Sequence, residues 1–407
     1  MHLHFAWNLL VSGIGVFLAA VWLYSGTIVW LNRKTVADVT SPEYECPREG
    51  LPRVSIIVPA RNESEHIEAA LLSLLQLDYP DYEVIAVNDR SEDATGAILD
   101  RLAGEWRARG ESLHHLLKVL HVTELPERWL GKVYAMWRAA EQATGDWLLF
   151  TDADVVFRAD VLRRAVAYGE RERADHVVLF PTMIMKTIGE RMMMAFFGAQ
   201  FVFAHRPWKV SDPKSRDSIG VGAFNMVRRS VYEKIGSHAT LRMAVLDDMK
   251  LGELVRQNGF RQRCAFGPGL LRLRWVVGAT GMVRNLTKNF FAILHFSIWF
   301  AIVAICGVLL INAGPFVGVC IAHGWGRAGY LASLLAIFIM YTQMSRRSEF
   351  SPLYFFLHPA AAAVFAFAMI RSTVITLERG GIEWRGTFYS LRELRAFQQQ
   401  ASRWSWL

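Results

Sequence analysis

Val54-Ser55-Ile56-Ile57-Val58-Pro59-Ala60-Arg61-Asn62-Glu63 is the stretch that decides the fold class. Its first five residues read as a short β-branched strand, and the segment 63–77 that follows has helical character. The pair then repeats, with Val84-Ile85-Ala86-Val87 as a second strand and 92–106 as a second helix. Strands alternating with helices build βαβ units and a parallel sheet. Further strands are predicted at 116–122, 147–151 and 176–180, so an α/β domain is expected from Val54 to about Gly269. In such sheets ligands bind beyond the carboxyl ends of the strands. Three loops lie there: Pro59 to Glu63, Asn88-Asp89-Arg90-Ser91-Glu92-Asp93, and Asp152-Ala153-Asp154.

The last of these loops carries the most pointed chemistry. An apolar run, Trp147-Leu148-Leu149-Phe150-Thr151, ends in two acids one residue apart. Hard Mg²⁺ or Mn²⁺ prefers carboxylate and phosphate oxygen, so Asp152 and Asp154 are candidate metal ligands facing a nucleotide diphosphate. A solvated strand end is the plainer alternative. No Walker lysine loop and no G-x-G-x-x-G follows these strands, so phosphates are not expected to be held as in a P-loop or dinucleotide fold. The other acids have a competing role as well. Ser91-Glu92-Asp93, Asn62-Glu63 and the pair Asp247-Asp248 ahead of Met249 to Val255 all suit helix caps or first-turn acids. In the last pair, like-charge repulsion would raise the proton affinity of one partner, which suits a base without identifying it.

The chain has 407 residues, 53% of them hydrophobic, and a mean hydropathy of +0.21. That is too apolar for a wholly soluble protein. The excess is localised. Phe5–Leu31 carries no charge and is followed by Arg33 and Lys34, so it reads as an anchor with a cytoplasmic C-terminal flank. It is too long, and flanked on the wrong side, for a cleaved signal peptide. Three more apolar stretches occur at about 290–311, 330–344 and 353–370. Arg284 and Lys288 precede the first, Arg346 and Arg347 separate the second from the third, and Arg371, Arg379, Arg385, Arg392 and Arg395 follow. Three full crossings starting inside would leave that basic tail outside. The third stretch, interrupted by Pro352 and Pro359, is therefore expected to be re-entrant or interfacial.

The organisation expected is an anchor at 1–34, the α/β domain at 50–275, an interfacial helix with membrane segments at 276–375, and a basic amphipathic cytoplasmic tail at 376–407. Cys46, Cys264, Cys306 and Cys320 show no paired spacing, so neither a disulfide framework nor a zinc site is expected. The net charge of +8 is explained by anionic lipid and not by nucleic acid, because the cations cluster beside apolar spans. The stretch 187–208, with Met192-Met193-Met194, Phe196, Phe197, Phe201 and Phe203 beside Arg191, His205 and Arg206, suits a helix at the membrane surface that admits a lipid. It suits equally a core helix filled with adaptable methionines. Trp384-Arg385-Gly386 with Phe388, Tyr389, Leu391 and Leu394 reads as an exposed amphipathic cover.

Taken together, the series Val58 to Glu63, Val87 to Thr95, Gly131-Lys132, Asp152-Ala153-Asp154 and Leu246-Asp247-Asp248 resembles the family 2 glycosyltransferases with a GT-A fold, over roughly Val54 to Trp275. The stretches Gly222 to Ser230 and Asp247 to Gly252 are most similar to the membrane-anchored lipid glycosyltransferases of the hopene-associated, carotenoid and ceramide branches. The resemblance implies that Pro59, Ala60, Glu63 and Asp89 line the nucleoside pocket, with Asp89 facing the base. It implies that Lys132 and Arg274 face the diphosphate, that Asp152 lies near the ribose or donor sugar, and that Asp154 with Asp152 ligates Mn²⁺ or Mg²⁺. Asp248, beside Asp247, would be the catalytic base, and Trp275 would stack on the acceptor. Leu271-Arg272-Leu273-Arg274-Trp275 departs from the family's Gln-x-x-Arg-Trp, which disfavours processive synthesis. The implied activity is inverting, metal-dependent transfer of one sugar from a nucleotide-sugar donor, a UDP-sugar, to the hydroxyl of a hopanoid, carotenoid, ceramide or similar lipid. The implied setting is a multi-pass protein of the cell inner membrane with its catalytic domain on the cytoplasmic face. Sugar transfer to a polyprenyl phosphate, and a non-catalytic membrane scaffold, are the alternatives.

Overall fold

The computed structural model describes residues 2–45, 50–108, 115–346 and 348–404; Cys46 and Arg347 lie outside them. Eight strands form one sheet: β1 (Ala37–Asp38), β2 (Val54–Ala60), β3 (Tyr82–Asp89), β4 (His115–Val122), β5 (Trp147–Phe150), β6 (His176–Phe180), β7 (Asn225–Arg228) and β8 (Gln262–Phe266). Their order is β1-β8-β6-β7-β5-β2-β3-β4. Every pairing is parallel except those of β7, which runs antiparallel to both β5 and β6. The α/β class read from the alternating runs is the one observed, and apolar helices flank it at both ends of the chain.

All seven residues of β2 are buried, as expected for a strand covered by helices on both faces. Alternate side chains serve two cores. Ile56, Val58, Val84 and Ala86 point toward the helices Ile67–Leu75, Thr95–Ala108 and Val161–Arg171. Ile57, Ile85, Val87 and Phe150 point toward Gly131–Gln142 and Asp247–Gln257. Register fixes the functional edge. Ile57 is level with both Ile85 and Phe150, so the chain leaves β2, β3 and β5 at neighbouring points.

Glu83 locks the centre of this sheet. Its buried carboxylate accepts from Ser55 Oγ at 2.7 Å, Lys118 Nζ at 2.7 Å, and Thr144 through both backbone N–H at 2.6 Å and hydroxyl at 2.7 Å. Burial alone would raise its pKa, but these donors together hold it at about 2.

Among the described residues three helices are long and apolar enough to cross a membrane: Phe5–Leu31, Gly324–Ser345 and Pro352–Glu378. A bent pair, Ile298–Asn312 with Gly314–Ile321 at 55°, makes a fourth if it is one span. The helices Phe5–Leu31 and Gly324–Ser345 lie side by side in the same direction. Gly326 abuts Ser12, Gly329 abuts Gly15, and Ile337 and Tyr341 share a cluster with Trp22. A Cβ on Gly329 would sit 2.6 Å from the Gly15 backbone, so only glycine permits this approach.

The apolar stretch expected at 290–311 is not one span. The helix Phe290–Ile293 ends at His295 and Phe296, both left-handed with φ of 53°, and a new helix begins at Ile298. The stretch expected to be re-entrant or interfacial is, by length and composition, long enough to cross. Both its flanks nevertheless touch the α/β domain: Glu349 pairs with Arg272 at 3.5 Å, and Arg385 lies 4.0 Å from Asp89. The tail is more than an exposed cover as well. Ile382, Tyr389, Leu391 and Leu394 are buried in the second core, joined to Ile57 and Phe150.

Replacing Glu83 with Ala should lower stability by roughly 3 kcal/mol, since the donors around a buried carboxylate would lose their acceptor. Thermal unfolding by circular dichroism at pH 7 checks this. Because the folded carboxyl titrates near 2 and the unfolded one near about 4.3, the contribution is whole above that range and falls away as pH drops through it.

Candidate active site

Lys132 stands in the first turn of Gly131–Gln142, and its Nζ lies 2.8 Å from Asp152 Oδ1 and 3.4 Å from Asp247 Oδ2. One cation thus joins the loop after β5 to the start of the Asp247–Gln257 helix. Burial would strip its proton, but Asp152, Asp247 and Asp248 together raise its pKa instead. Burial also opposes the charge on Asp152, which Lys132 nonetheless holds below the usual carboxylate range. The other acids move the opposite way. Burial and Asp152 push Asp154 up to about 6, and burial and Asp247 push Asp248 up to about 6. Glu63 rises through burial and the nearby Asp154.

This acid set fits a divalent cation. Glu63, Asp152 and Asp154, all half-buried, repel one another, which a hard cation relieves. Among the described residues no group of three or more His, Cys, Asp or Glu could hold a metal by itself. A cation at Asp152 and Asp154 would therefore complete its shell with ligand or water oxygens, as Mg²⁺ commonly does.

Backbone approach fixes the acids. Asp152 N–H donates to Gly222 O at 3.0 Å, and a Cβ on Gly222 would fall 2.4 Å from Asp152 Oδ2. A Cβ on Gly220 would fall 1.8 Å from the Asp248 carbonyl oxygen. Behind Asp248 runs a buried polar chain with one donor direction. Gln262 Nε2 donates to His176 Nδ1 at 2.6 Å, His176 Nε2 bonds Asn225 Oδ1, and Asn225 Nδ2 donates to Asp248 O at 3.2 Å. Burial lowers the His176 pKa to about 4, so the ring is neutral and can accept at one nitrogen while donating at the other. Asp248 Oδ1 accepts the Met249 N–H at 2.8 Å, so the helix-start role expected of this acid coexists with its place in the cluster.

The loops after β2 and β3 are tied together. Asn62 N–H donates to Ser91 Oγ at 3.1 Å, Glu92 N–H to Asn62 Oδ1 at 2.8 Å, and Glu63 N–H to Thr95 Oγ1 at 2.8 Å. These bonds delay the helices, which start at Ile67 and Thr95, later than expected. Pro59, Ala60 and Asp89 are buried, with Asp89 closed in by Arg90 and Arg385, while Glu63 is half-buried beside Asp154.

Two residues stand apart from the acid cluster. Arg274 pairs with buried Glu190 at 2.7 Å, and the same oxygen accepts Gly278 N–H at 2.9 Å. Glu190 also completes a capping box with Thr187 at the start of Ile188–His205, so Arg274 pins that helix. Leu271 is buried in the first core, paired with Phe157, where a glutamine would be desolvated. Trp275 packs on Phe197 with ring centres 4.8 Å apart and lines a cavity.

That cavity, of about 2490 Å³, reaches from Lys132, Asp152 and Asp248 to apolar walls that include Phe201, Phe290 and Phe338. Of the Ile188–His205 helix, Met193 and Phe196 are core, while Met194 and Phe197 line the cavity. Lys288, first read only as a basic flank, also lines it.

Residues 55–236 match the family model described as Glycosyl transferase family 2. Its similar curated relatives include the 4,4'-diaponeurosporenoate glycosyltransferase of Staphylococcus aureus strain MRSA252, 23% identical over 83% of this chain and 88% of the relative. The protein of that name from strain bovine RF122 / ET3-1 is 24% identical over the same shares. Among solved structures, a mannosyltransferase from Pyrobaculum calidifontis in complex with GDP-Man and Mn²⁺ aligns over 90% of this chain and 99% of its own, with 20% identity and a TM-score of 0.49.

A Gly222→Ala substitution should displace the Asp152 carboxylate and weaken Mn²⁺-dependent nucleotide binding at least about tenfold, with little change in unfolding temperature. Calorimetric titration of UDP with Mn²⁺, beside a melting curve, measures both.

Proposed function

We propose that this protein moves one sugar from a nucleotide-sugar donor, a UDP-sugar, to the hydroxyl of a membrane lipid of carotenoid type, inverting the anomeric centre. One observation carries the reading: a single cavity joins the Lys132, Asp152 and Asp248 cluster to apolar walls large enough for a lipid. The relatives named as carotenoid-acid glycosyltransferases support the acceptor class.

In this reading Asp248 takes the proton of the acceptor hydroxyl as that oxygen attacks the anomeric carbon. Its raised proton affinity, from burial and Asp247, suits a base working near neutral pH. Lys132, kept cationic by its acids, faces the departing diphosphate. Asp154 and Asp152 would hold Mn²⁺ or Mg²⁺, which neutralises leaving-group charge when bound. Pro59, Ala60, Glu63 and Asp89 form the nucleoside side, and Trp275 the acceptor side. Arg274 acts through Glu190 on the helix that walls the cavity.

The setting follows from the same observations. Arg33 and Lys34 after the first apolar helix favour an α/β domain on the cytoplasmic face of the cell inner membrane. The contacts of Glu349 and Arg385 with that domain support a re-entrant Pro352–Glu378 segment, which leaves the basic tail on the same face. A second reading, with an acceptor that is already an anion, is favoured by the relatives' named carboxylate substrate. It needs no base, and a polyprenyl phosphate would be handled likewise.

Asp248→Asn should lower kcat by about 10²- to 10⁴-fold while UDP binding persists. Full turnover in that variant would reject the hydroxyl mechanism in favour of an anionic acceptor. In the wild type kcat should rise with pH through about 6 and then level, as Asp248 loses its proton. Asp154→Ala should abolish the Mn²⁺ dependence of UDP binding. Incubation with nucleotide sugars and host lipid extract, read by mass spectrometry, tests the whole: no glycosylated lipid with any donor would overturn the assignment.

A further inference from the structure

We propose that the turn of the C-terminal hairpin is a wall of the donor pocket, and that Arg385 on that turn, with Lys288 beside it, binds the nucleotide's diphosphate. This rests on the donor reading above and adds two residues outside the α/β domain, Lys288 ahead of the later apolar helices and Arg385 beyond them all.

The hairpin pairs Gly381–Trp384 with Thr387–Ser390 across two residues, Arg385 and Gly386. Both are left-handed, with φ of 49° and 72°. A two-residue turn of this kind favours Asn, Asp or Gly at its first position. A long cationic side chain is held there against that preference, the kind of local strain that gathers at functional sites.

The turn is set onto the loops that leave β2 and β3. A Cβ on Gly386 would fall 2.7 Å from Arg61 Nη2, so the backbone lies directly against that guanidinium. Arg90 Nη1 reaches Thr387 Oγ1 at 3.4 Å, and Arg385 Nη1 stands 4.0 Å from Asp89 Oδ2. Here the polar accounting does not close. Arg61 Nη1, Arg90 Nη2 and Arg385 Nη1 are all buried without a hydrogen-bond partner in the protein, as is Asp89 Oδ2. Three unpaired guanidinium nitrogens beside one loop cluster are costly, since each forfeits its hydration. They suit a ligand that brings several anionic oxygens, which guanidinium groups bind in a fork.

The clamp faces the acid cluster. Arg385 and Lys288 both act on Asp152, and Arg385 acts on Glu63. Lys288 lies over the Trp384 ring at 5.8 Å, lines the same cavity as Lys132 and Asp152, and has no carboxylate at ion-pair distance among the described residues. Lys132, Lys288 and Arg385 therefore all act on Asp152, and Arg385 also stands 4.0 Å from Asp89 at the end of β3. A diphosphate there would meet cations from three separate parts of the chain.

The test is calorimetric titration of UDP, and in parallel GDP, with Mn²⁺ into the purified full-length wild type and the Arg385→Gln, Arg385→Lys and Lys288→Gln variants, each with a ligand-free melting curve. Expected is a Kd raised at least about tenfold in Arg385→Gln, a smaller rise in Arg385→Lys, and a rise of several-fold in Lys288→Gln, at unchanged melting temperature. Wild-type Kd in a folded Arg385→Gln protein overturns the clamp while leaving the donor reading in place. No binding of either nucleotide by the wild type removes the donor reading itself. If Arg385→Gln fails to fold, wild-type affinity in both Arg385→Lys and Lys288→Gln overturns the clamp.

Discussion

Three carboxylates, buried Asp247 with half-buried Asp152 and Asp248, converge from two elements on the side chain of Lys132, and their arrangement depends on its charge. At an effective dielectric of about 20, unit charges 4 Å apart interact by about 4 kcal/mol. That scale decides which acids are ionised in such a space. Asp152, in direct contact with the ammonium, stays charged, whereas Asp248 and Asp154, farther out, keep a raised affinity for protons or cations. A single lysine thus sorts neighbouring aspartates into different electrostatic roles, and a neutral residue there would leave them in unrelieved repulsion.

The scaffold makes this convergence possible by bringing strands to one edge and then allowing the backbone in close. Gly220 and Gly222 remove the side chains that would otherwise separate the loop before β7 from Asp152 and Asp248. The antiparallel β7 inserts Asn225 between His176 and the Asp248 backbone. On the opposite side, Arg274 and Glu190 fix the helix whose aromatic face continues the cavity away from the acids. The polar end and the apolar end of the cavity are thereby parts of one rigid arrangement.

Much of this was legible in the chain, and the exceptions have physical causes. The parallel strands announce themselves because burial on both faces favours runs rich in β-branched residues, as in Val54 to Val58 with four of five. The paired acids stand out because charges are rare at the end of such a run. β7 was missed: four residues of mixed polarity, Asn225 to Arg228, carry no period. The break at His295 and Phe296 was missed because its cause is a left-handed backbone, while the side chains read as continuously apolar. The pairing of Arg274 with Glu190 was not legible, since nothing local reveals a partner 84 positions away. Lys288 and Arg385 looked like membrane flanks for the same reason: their meaning lies in what the tail packs against.

The side-by-side apolar helices have a consequence for the order in which the protein is assembled. Tyr330 donates to the backbone of Val11, a contact spanning 319 positions. During synthesis the first helix must therefore wait, without its partner, while the whole α/β domain emerges and folds, and contacts of such long range form late. The domain has its own sheet and helices to sustain it through that interval. Its second core, however, also takes in Ile382, Tyr389, Leu391 and Leu394, so a segment made after the apolar helices closes the structure that the earlier ones began.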